Sequence, residues 1–241
     1  MNLKRLFINK TQREGLLYEI VDYFKFNYEK YINLLKHGHI LRKIRIKKYL
    51  KKYKIRKLHL GCFYFILEGF LNTDILRGKI PIDITKKLPF RNNTFDLIYS
   101  NHVIEHIYQK QFRYFLRESC RILKKGGIQI IQTPSIEKLS KILYGNNELE
   151  KQIILDHHSK SSRINATFAS NVINNLMHIN YQHKYLYDFN LINYLAKLAG
   201  YTKVTKLKNN YDVPDEIIKS SLCSRKYDHW DLETETFILE K

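Results

Sequence analysis

The sequence has no apolar run of the roughly 18 to 20 residues that a membrane span needs. The best candidate, Leu58 to Leu71, is short and carries His59 and Glu68. Met1 to Gln12 contains basic residues but no apolar signal-peptide core behind them, so the chain is expected to stay in the cytosol. Cysteine is scarce. Cys62, Cys120 and Cys223 are widely spaced with no Cys-x-x-Cys, which excludes a disulfide framework and a zinc ribbon. The four prolines, Pro81, Pro89, Pro134 and Pro214, all lie beyond residue 80, so nothing before that point breaks a long helix. What is present is ample for a core: 241 residues, 44% hydrophobic and 13% aromatic, fit one large domain or a domain with an appendage.

Acid is short as well, and the formal net charge is +19. Residues 1 to 57 hold seventeen Lys/Arg against four acids, Glu14, Glu19, Asp22 and Glu29, which leaves the other 184 residues with only +6. Lys36 to Lys57 alone contains eleven Lys/Arg and no acid. The positive field therefore belongs to one appendage. A general excess of Lys, Ile and Asn also points to an AT-rich coding sequence, which lowers the weight of the total charge as a functional signal.

Leu16, Ile20, Phe24, Tyr28, Tyr31 and Leu35 recur at three- and four-residue spacing and predict an amphipathic helix ended by Gly38. A second helix is expected from about Ile40 to Tyr53, with an apolar stripe of Ile46, Tyr49, Leu50 and Tyr53 and lysine over its other face. From Lys57 the texture changes. Lys57–Cys62, Phe70–Asp74, Phe95–Ser100 and Gly127–Thr133 have strand character, and Gln109 to Leu123 has helical spacing that runs into a basic last turn and glycine stop at Lys124–Gly127. Asp188 to Ala199 reads as a helix closed by Gly200, followed by two strands, Tyr201–Leu207 and Glu233–Glu240, suited to antiparallel pairing. Residues 135–187 are polar and His-rich without a clean period and read as an insertion. The expectation is an α/β fold: a doubly wound, Rossmann-like, mostly parallel sheet of seven strands with an antiparallel last strand. A basic helical extension, 1–56, would stand beside a domain of 57–241.

An open parallel sheet binds its ligand at the carboxyl ends of its strands, where the strand order reverses. The positions that fall there are Gly61-Cys62, Asp74, Asp83 and Ser100-Asn101. A carboxylate such as Asp74, at the end of a second strand, suits the two hydroxyls of a ribose; a solvated turn aspartate is the alternative. The blocks KLHLGCFYFILEGFLNTD (57–74), DITKKLPF (83–90), NTFDLIYSNHVIEHI (93–107) and RILKKGGIQIIQTP (121–134) resemble class I S-adenosylmethionine-dependent methyltransferases. More narrowly they are similar to the methyltransferase type 11-like bacterial proteins with a shortened first loop, associated with surface-glycan synthesis. The resemblance extends into HKYLYDFNLINYLAKLAGYTKV (183–204) and the closing ETETFILEK, and leaves the first 56 residues unexplained.

The resemblance implies that Gly61 and Cys62 form the turn past which the methionine part of the cofactor runs, and that Asp74 holds the ribose. It implies that Asp83 and the Ile84 backbone contact the adenine edge, and that Ser100 and Asn101 line the floor near the sulfonium. His102, Glu105 and His106 then follow on the next helix, facing the substrate, with His106 or His102 as the base for a hydroxyl acceptor. His183 falls near the substrate mouth; packing on tyrosines is the alternative. One residue departs from the pattern: Phe63 stands where the family has a second glycine, and a bulky side chain does not take positive φ cheaply.

His102-Val-Ile-Glu105-His106 also matches H-x-x-E-H, an inverted zinc-peptidase signature, but the strand-and-loop context before it fits the methyltransferase instead. His157, His158, His178 and His183 have poor ligand spacing, so no metal is expected. Trp230 is read as core. The basic helix of residues 36–57 admits three readings: a solvated face, an anionic membrane surface, or RNA phosphates with Tyr49 and Tyr53 stacking on bases. Lysine dominates over arginine there, which favours the membrane surface over RNA and adds peripheral attachment at the inner membrane face to the expected cytosolic location. The expected activity is methyl transfer from S-adenosylmethionine to an O or N acceptor, a glycan or related small molecule. The alternatives are a non-catalytic binding module, which Phe63 favours, and an RNA methyltransferase docking through the basic helix.

Overall fold

The computed structural model describes residues 16–162, 168–179, 183–210, 212–218 and 229–241. Met1 to Gln12 and Cys223, both singled out in the sequence, lie outside the described residues. Two helices come first, α1 (Leu16–His37) and α2 (His39–Lys52), then the strands β1 (Lys57–Leu60), β2 (Phe70–Thr73) and β3 (Phe95–Asn101). A single 3-10 turn, Ile104–His106, leads to α3 (Gln109–Ile122) and the long strand β4 (Leu123–Pro134). The segment read as an insertion carries helices among its described residues: α4 (Ile136–Leu143), α5 (Glu148–Ser162), and α6 (Ala169–Asn174) continued by a π turn, Asn175–Ile179. The chain closes with α7 (Phe189–Ala199), β5 (Lys203–Lys206), two short helices, α8 (Asp215–Ile218) and α9 (His229–Glu233), and β6 (Thr234–Glu240).

The strands form one sheet in the order β2-β1-β3-β4-β6-β5. The first four are parallel, with Leu58 beside Leu71 on one side and Ile98 on the other. β6 runs antiparallel to both β4 and β5. The order reverses between β2 and β3 around β1, so the switch point lies at the carboxyl ends of β1 and β3.

Seven strands were expected, and the described residues form six. Residues 75–83 run irregularly, and their carbonyls turn to side chains of the first two helices instead of a ladder. Asn33 donates to the carbonyls of Ile75 and Gly78, both at 3.1 Å, Arg45 to that of Lys79 at 2.5 Å, and Arg42 to that of Pro81 at 3.1 Å. Pro81 also has no N–H to give to a ladder. The Lys124–Gly127 stretch, expected as the last turn of a helix, belongs to β4 instead. Gly126 takes φ +76° there, and the pairing with β3 shifts register between Phe95 and Leu97.

Alternation along the strands buries both faces. One face carries Leu58, Leu60, Leu71, Ile98, Ile131, Phe237 and Leu239. It is covered by Phe112, Phe115 and Leu116 of α3, Ile192 and Leu195 of α7, and Ile46 and Tyr49 of α2. The other presents Phe70, Leu97, Tyr99 and Ile130 to Leu67, Val213 and Ile217. Helices α4 to α6 and α9 build a smaller cluster around Leu139, Ile154, Val172 and Leu232, beyond the carboxyl end of β4. Trp230 is buried. Asp188 caps α7 by accepting from the Leu191 N–H at 2.7 Å, and Gly200 closes that helix at φ +105°.

The apolar stripe expected to seat α2 is buried or half-buried, but the one on α1 is not. Ile20, Phe24, Tyr28, Tyr31 and Leu35 are all exposed. α1 sits on the domain through its polar face: Glu29 pairs with Arg77 and Lys30 with Asp83, each at 2.8 Å, and Asn33 is buried. Replacing Asn33 with Ala leaves two carbonyls without their donor. This should cost about 1–3 kcal/mol in urea unfolding, whereas Phe24→Ser on the opposite face should stay within about 0.5 kcal/mol. Equal losses would show that α1 seats on its apolar stripe instead.

Candidate functional site

At the switch point β1 runs into Gly61 at φ +71°. A Cβ there would stand 2.3 Å from Val103 Cγ2, so the glycine serves both the turn and the approach of the chain that leaves β3. Cys62 follows, buried, with its N–H on the carbonyl of Thr73 at 3.0 Å; burial, with Asp74 adding to it, pushes its thiol up to about 12. That thiol is not a nucleophile at neutral pH.

Phe63 adopts φ +45°, in the left-handed region that favours glycine. Its ring turns outward, 44% exposed, against Tyr64 at 4.2 Å between ring centres. Its N–H donates to Asp74 Oδ2 at 3.1 Å. The other Asp74 oxygen, Oδ1, accepts from the N–H groups of Leu76 at 2.8 Å and Arg77 at 2.9 Å. One carboxylate thus holds the turns after β1 and β2 together. Oδ2, with one donor, has room to accept a further hydrogen bond. A cavity of about 160 Å³ lies outside this loop, lined by Tyr28, Glu29, Ile32, Asn33, Lys36, Leu76 and Arg77.

Ser100 and Asn101 end β3 beside this turn. Ser100 Oγ and Asn101 Oδ1 are buried and find no hydrogen-bond partner among the described residues. Asp83 and Ile84 are placed differently. The Asp83 carboxylate is bound by Lys30 at 2.8 Å and by the hydroxyl and N–H of Thr85 at 2.6 and 3.1 Å. Burial pushes this carboxyl up, but Lys30 and Thr85 outweigh it and hold it below its ordinary range. Ile84 packs its side chain into the core.

His102, Glu105 and His106 were expected on a helix and are not on one. His102 takes φ +50° in a bend, Glu105 and His106 close the 3-10 turn, and α3 begins only at Gln109. The bend follows from Val103 packing on Gly61, which turns the chain before a helix can start. His102 Nε2 lies 2.8 Å from Thr234 Oγ1 and its Nδ1 3.4 Å from Glu105 Oε1. Glu105 is fully buried; its Oε2 accepts from Thr133 Oγ1 at 3.1 Å. Burial, with Glu233 adding to it, pushes its carboxyl up to about 8.

His183, which the spacing argument set aside as a ligand, comes back to this turn. The N–H groups of Lys184 and Tyr185 donate to the Glu105 carbonyl at 2.6 and 3.2 Å, and the His183 and His106 rings meet edge to face at 4.9 Å. His183 is buried and held neutral by that burial, with His106 reinforcing it, whereas His106 is exposed. One donor atom from each of Glu105, His106 and His183 falls within 4.8 Å of the others. His158 lies deeper, with Nε2 3.2 Å from Glu233, and the side chain of His178 is outside those described. Sequence reasoning missed Lys30, Asn33, Val103, Thr133 and Glu233. Each acts across a distance in sequence that spacing does not register.

Residues 74–131 match the family model described as a methyltransferase domain. That span holds Asp74, Asp83, Ile84, Ser100, Asn101, His102, Glu105 and His106, and leaves the turn of Gly61 to Phe63 outside it. No curated protein matches the chain. Among solved structures, the chain is similar to a SAM-dependent methyltransferase from Archaeoglobus fulgidus, with 15% identity, 91% of this chain and 99% of that one covered, and a TM-score of 0.44. It is similar to a possible histamine N-methyltransferase from Thermotoga maritima, with 14% identity, 89% and 98% covered, and a TM-score of 0.44. It is also similar to a Haemonchus contortus phosphoethanolamine N-methyltransferase 2 in complex with S-adenosyl-L-methionine, with 15% identity, 85% and 53% covered, and a TM-score of 0.43. These TM-scores lie below 0.5, and the fold stands on its own strand order.

The Glu105 carboxyl makes stability depend on pH. Between its ordinary value of 4.5 and about 8 the native group keeps a proton that the unfolded chain has released. Stability should therefore fall as pH rises through that window. Glu105→Gln should remove this slope in urea unfolding carried out in chelating buffer. Parallel profiles for the two proteins would mean that the carboxyl is ionised in the fold.

Proposed function

We propose that this chain transfers a methyl group from S-adenosylmethionine to an oxygen or nitrogen acceptor, a glycan or related small molecule. The observation that carries the reading is the methyltransferase-domain match over 74–131, which spans the residues gathered at the switch point of the sheet. The residues present fit the cofactor at Asp74, Ser100 and Asn101, whose buried oxygens have hydrogen-bonding capacity left at the strand ends. Asp74 would take the ribose hydroxyls, Gly61 and Cys62 would flank the methionine part, and Asp83 with Ile84 would lie toward the adenine. Bound there, S-adenosylmethionine supplies an electrophilic methyl on a sulfonium. The protein's part is orientation and exclusion of water, which provide most of the acceleration of an in-line displacement. His106, exposed beside the buried Glu105, is placed to take a proton from a hydroxyl acceptor.

A second reading, a non-catalytic module of the same fold, is favoured by two observations. Val103 fills the space against Gly61, and Lys30 already occupies the Asp83 carboxylate. Calorimetry with S-adenosylmethionine and its demethylated product separates the two. Methyl transfer predicts saturable heat that Asp74→Asn weakens about tenfold or more, the loss of one charge-assisted hydrogen bond. The same variant should still unfold cooperatively. No saturable heat at millimolar ligand would leave the module.

We also infer that α1 and α2 seat the protein on an anionic membrane surface. Among the described residues no helix is long and apolar enough to cross a membrane. α1 leaves Ile20, Phe24, Tyr28, Tyr31 and Leu35 exposed, and exposed lysines follow on and just after α2, at 43, 47, 48, 51, 52 and 54. Clustered lysines near anionic lipid contribute on the order of 1 kcal/mol each. Co-sedimentation with phosphatidylglycerol vesicles, but not phosphatidylcholine vesicles, is expected, and it should weaken on Phe24→Ser. Retention on RNA without binding to either vesicle would assign the basic surface to nucleic acid instead.

A further inference from the structure

We propose that Glu105, His106 and His183 form a binding site for one divalent transition-metal cation of the zinc, cobalt or manganese class. The three donor atoms already lie within 4.8 Å of one another. Bonds of about 2.0–2.2 Å around a four-coordinate ion set donors roughly 3.5 Å apart, so small side-chain rotations close the site. The ligands come from two stretches of chain far apart in sequence, and the backbone fixes them in place before any ion arrives. The carbonyl of Glu105 accepts from the N–H groups of Lys184 and Tyr185, which binds the residue after His183 to the residue before His106.

The polar accounting inside the site points the same way. Glu105 is fully buried, and its two oxygens are used differently. Oε2 accepts from Thr133, while Oε1 accepts no hydrogen bond from the described residues. A buried carboxyl oxygen in that state is costly as an anion, so the group keeps a proton until a cation meets it. A hydrogen bond to the second carboxylate oxygen is also how a ligating acid is oriented. His102, anchored on Thr234, stands behind the same carboxylate, with its Nδ1 3.4 Å from Oε1.

Two imidazoles and one carboxylate suit zinc and its neighbours, whereas magnesium and calcium prefer all-oxygen sets. The site is closed on the side of Glu105 and His183 and open at His106. Three protein ligands with a solvent-facing position characterise a reactive metal site and not a structural one. The open position takes one oxygen donor, water or a hydroxyl of a bound acceptor; with the cation in place His106 is its ligand, and the cation, not the imidazole, makes the hydroxyl proton easier to lose. That acceptor role rests on the methyl-transfer reading, whereas the cation site itself does not. The site also revises the sequence expectation of no metal. The H-x-x-E-H stretch supplies ligands without the helix that the peptidase signature needs, and the third ligand arrives from a non-helical segment.

The test uses the untagged full chain, stripped with chelator and titrated with Co²⁺ in the absence of S-adenosylmethionine. The expected result is one equivalent of Co²⁺ per chain, with the visible d–d absorption of a four- or five-coordinate site that Zn²⁺ displaces. His106→Ala and His183→Ala should each weaken binding by about 100-fold or more, while His157→Ala leaves it unchanged. His106 is exposed, so its variant reports on binding even where His183→Ala fails to fold. No stoichiometric Co²⁺ spectrum, or an affinity unchanged by His106→Ala, overturns the proposal. Because no methyl donor is present, a negative result here leaves the calorimetric test of methyl transfer intact, and a negative result there leaves this one intact.

Discussion

The Asp74 carboxylate holds the ligand edge of the sheet in shape. Its two oxygens accept backbone N–H groups from Phe63 on one side and from Leu76 and Arg77 on the other, which joins the turns leaving β1 and β2. A phenylalanine at positive φ stores strain on the order of 1–3 kcal/mol, and a charge-assisted bond from its own N–H is the kind of restraint that keeps it there. With that turn fixed, Gly61 presents a bare backbone to Val103, and the chain after β3 bends at His102 instead of entering a helix. The bend in turn sets Glu105 inside the protein and leaves its carbonyl to receive the 184–185 segment. The two groups of polar residues are thus joined by one continuous run of backbone from Gly61 and Val103 to Glu105.

Much of this edge was legible in the sequence because it is written in local chemistry. Strand segments such as FDLIYS announce themselves by apolar density, and α7 by a helical run from Asp188 to its closing glycine. The position of Asp74 follows from counting along β2. Other features left no such trace. Hydrophobic spacing says which residues of α1 share a face, but not which face meets the protein. The face that does meet it carries Glu29, Lys30 and Asn33, bonded to the 75–83 loop. His183 meets His106 through main-chain bonds that depend on no side-chain type, so a ligand-spacing rule had nothing to detect. The Lys124–Gly127 stretch looked like a helix end because basic residues and glycines also suit a strand that starts on a bulge.

The positive charge of the first helices divides by residue type. Between residues 36 and 57 each arginine turns inward and gives its guanidinium to a carbonyl: Arg42 to Pro81, Arg45 to Lys79 and Arg56 to Leu50. The lysines at 43, 47, 48, 51, 52 and 54 stay exposed. A planar fork with several fixed donors suits shared carbonyl contacts, and a hydrated ammonium on a long stem suits the surface. The excess of lysine over arginine thus separates the charges available to an external partner from those that hold the fold.

The loop of residues 75–83 and the first two helices are halves of one joint. Four carbonyls on the loop take their donors from Asn33, Arg42 and Arg45, and Asp83 takes its counter-charge from Lys30. A transplanted leader in place of residues 1–56 would have to reproduce those donors at the same spacing, or the loop would need rewriting along with it. Where this sheet occurs under a different amino-terminal segment, its counterpart of the loop should differ as well.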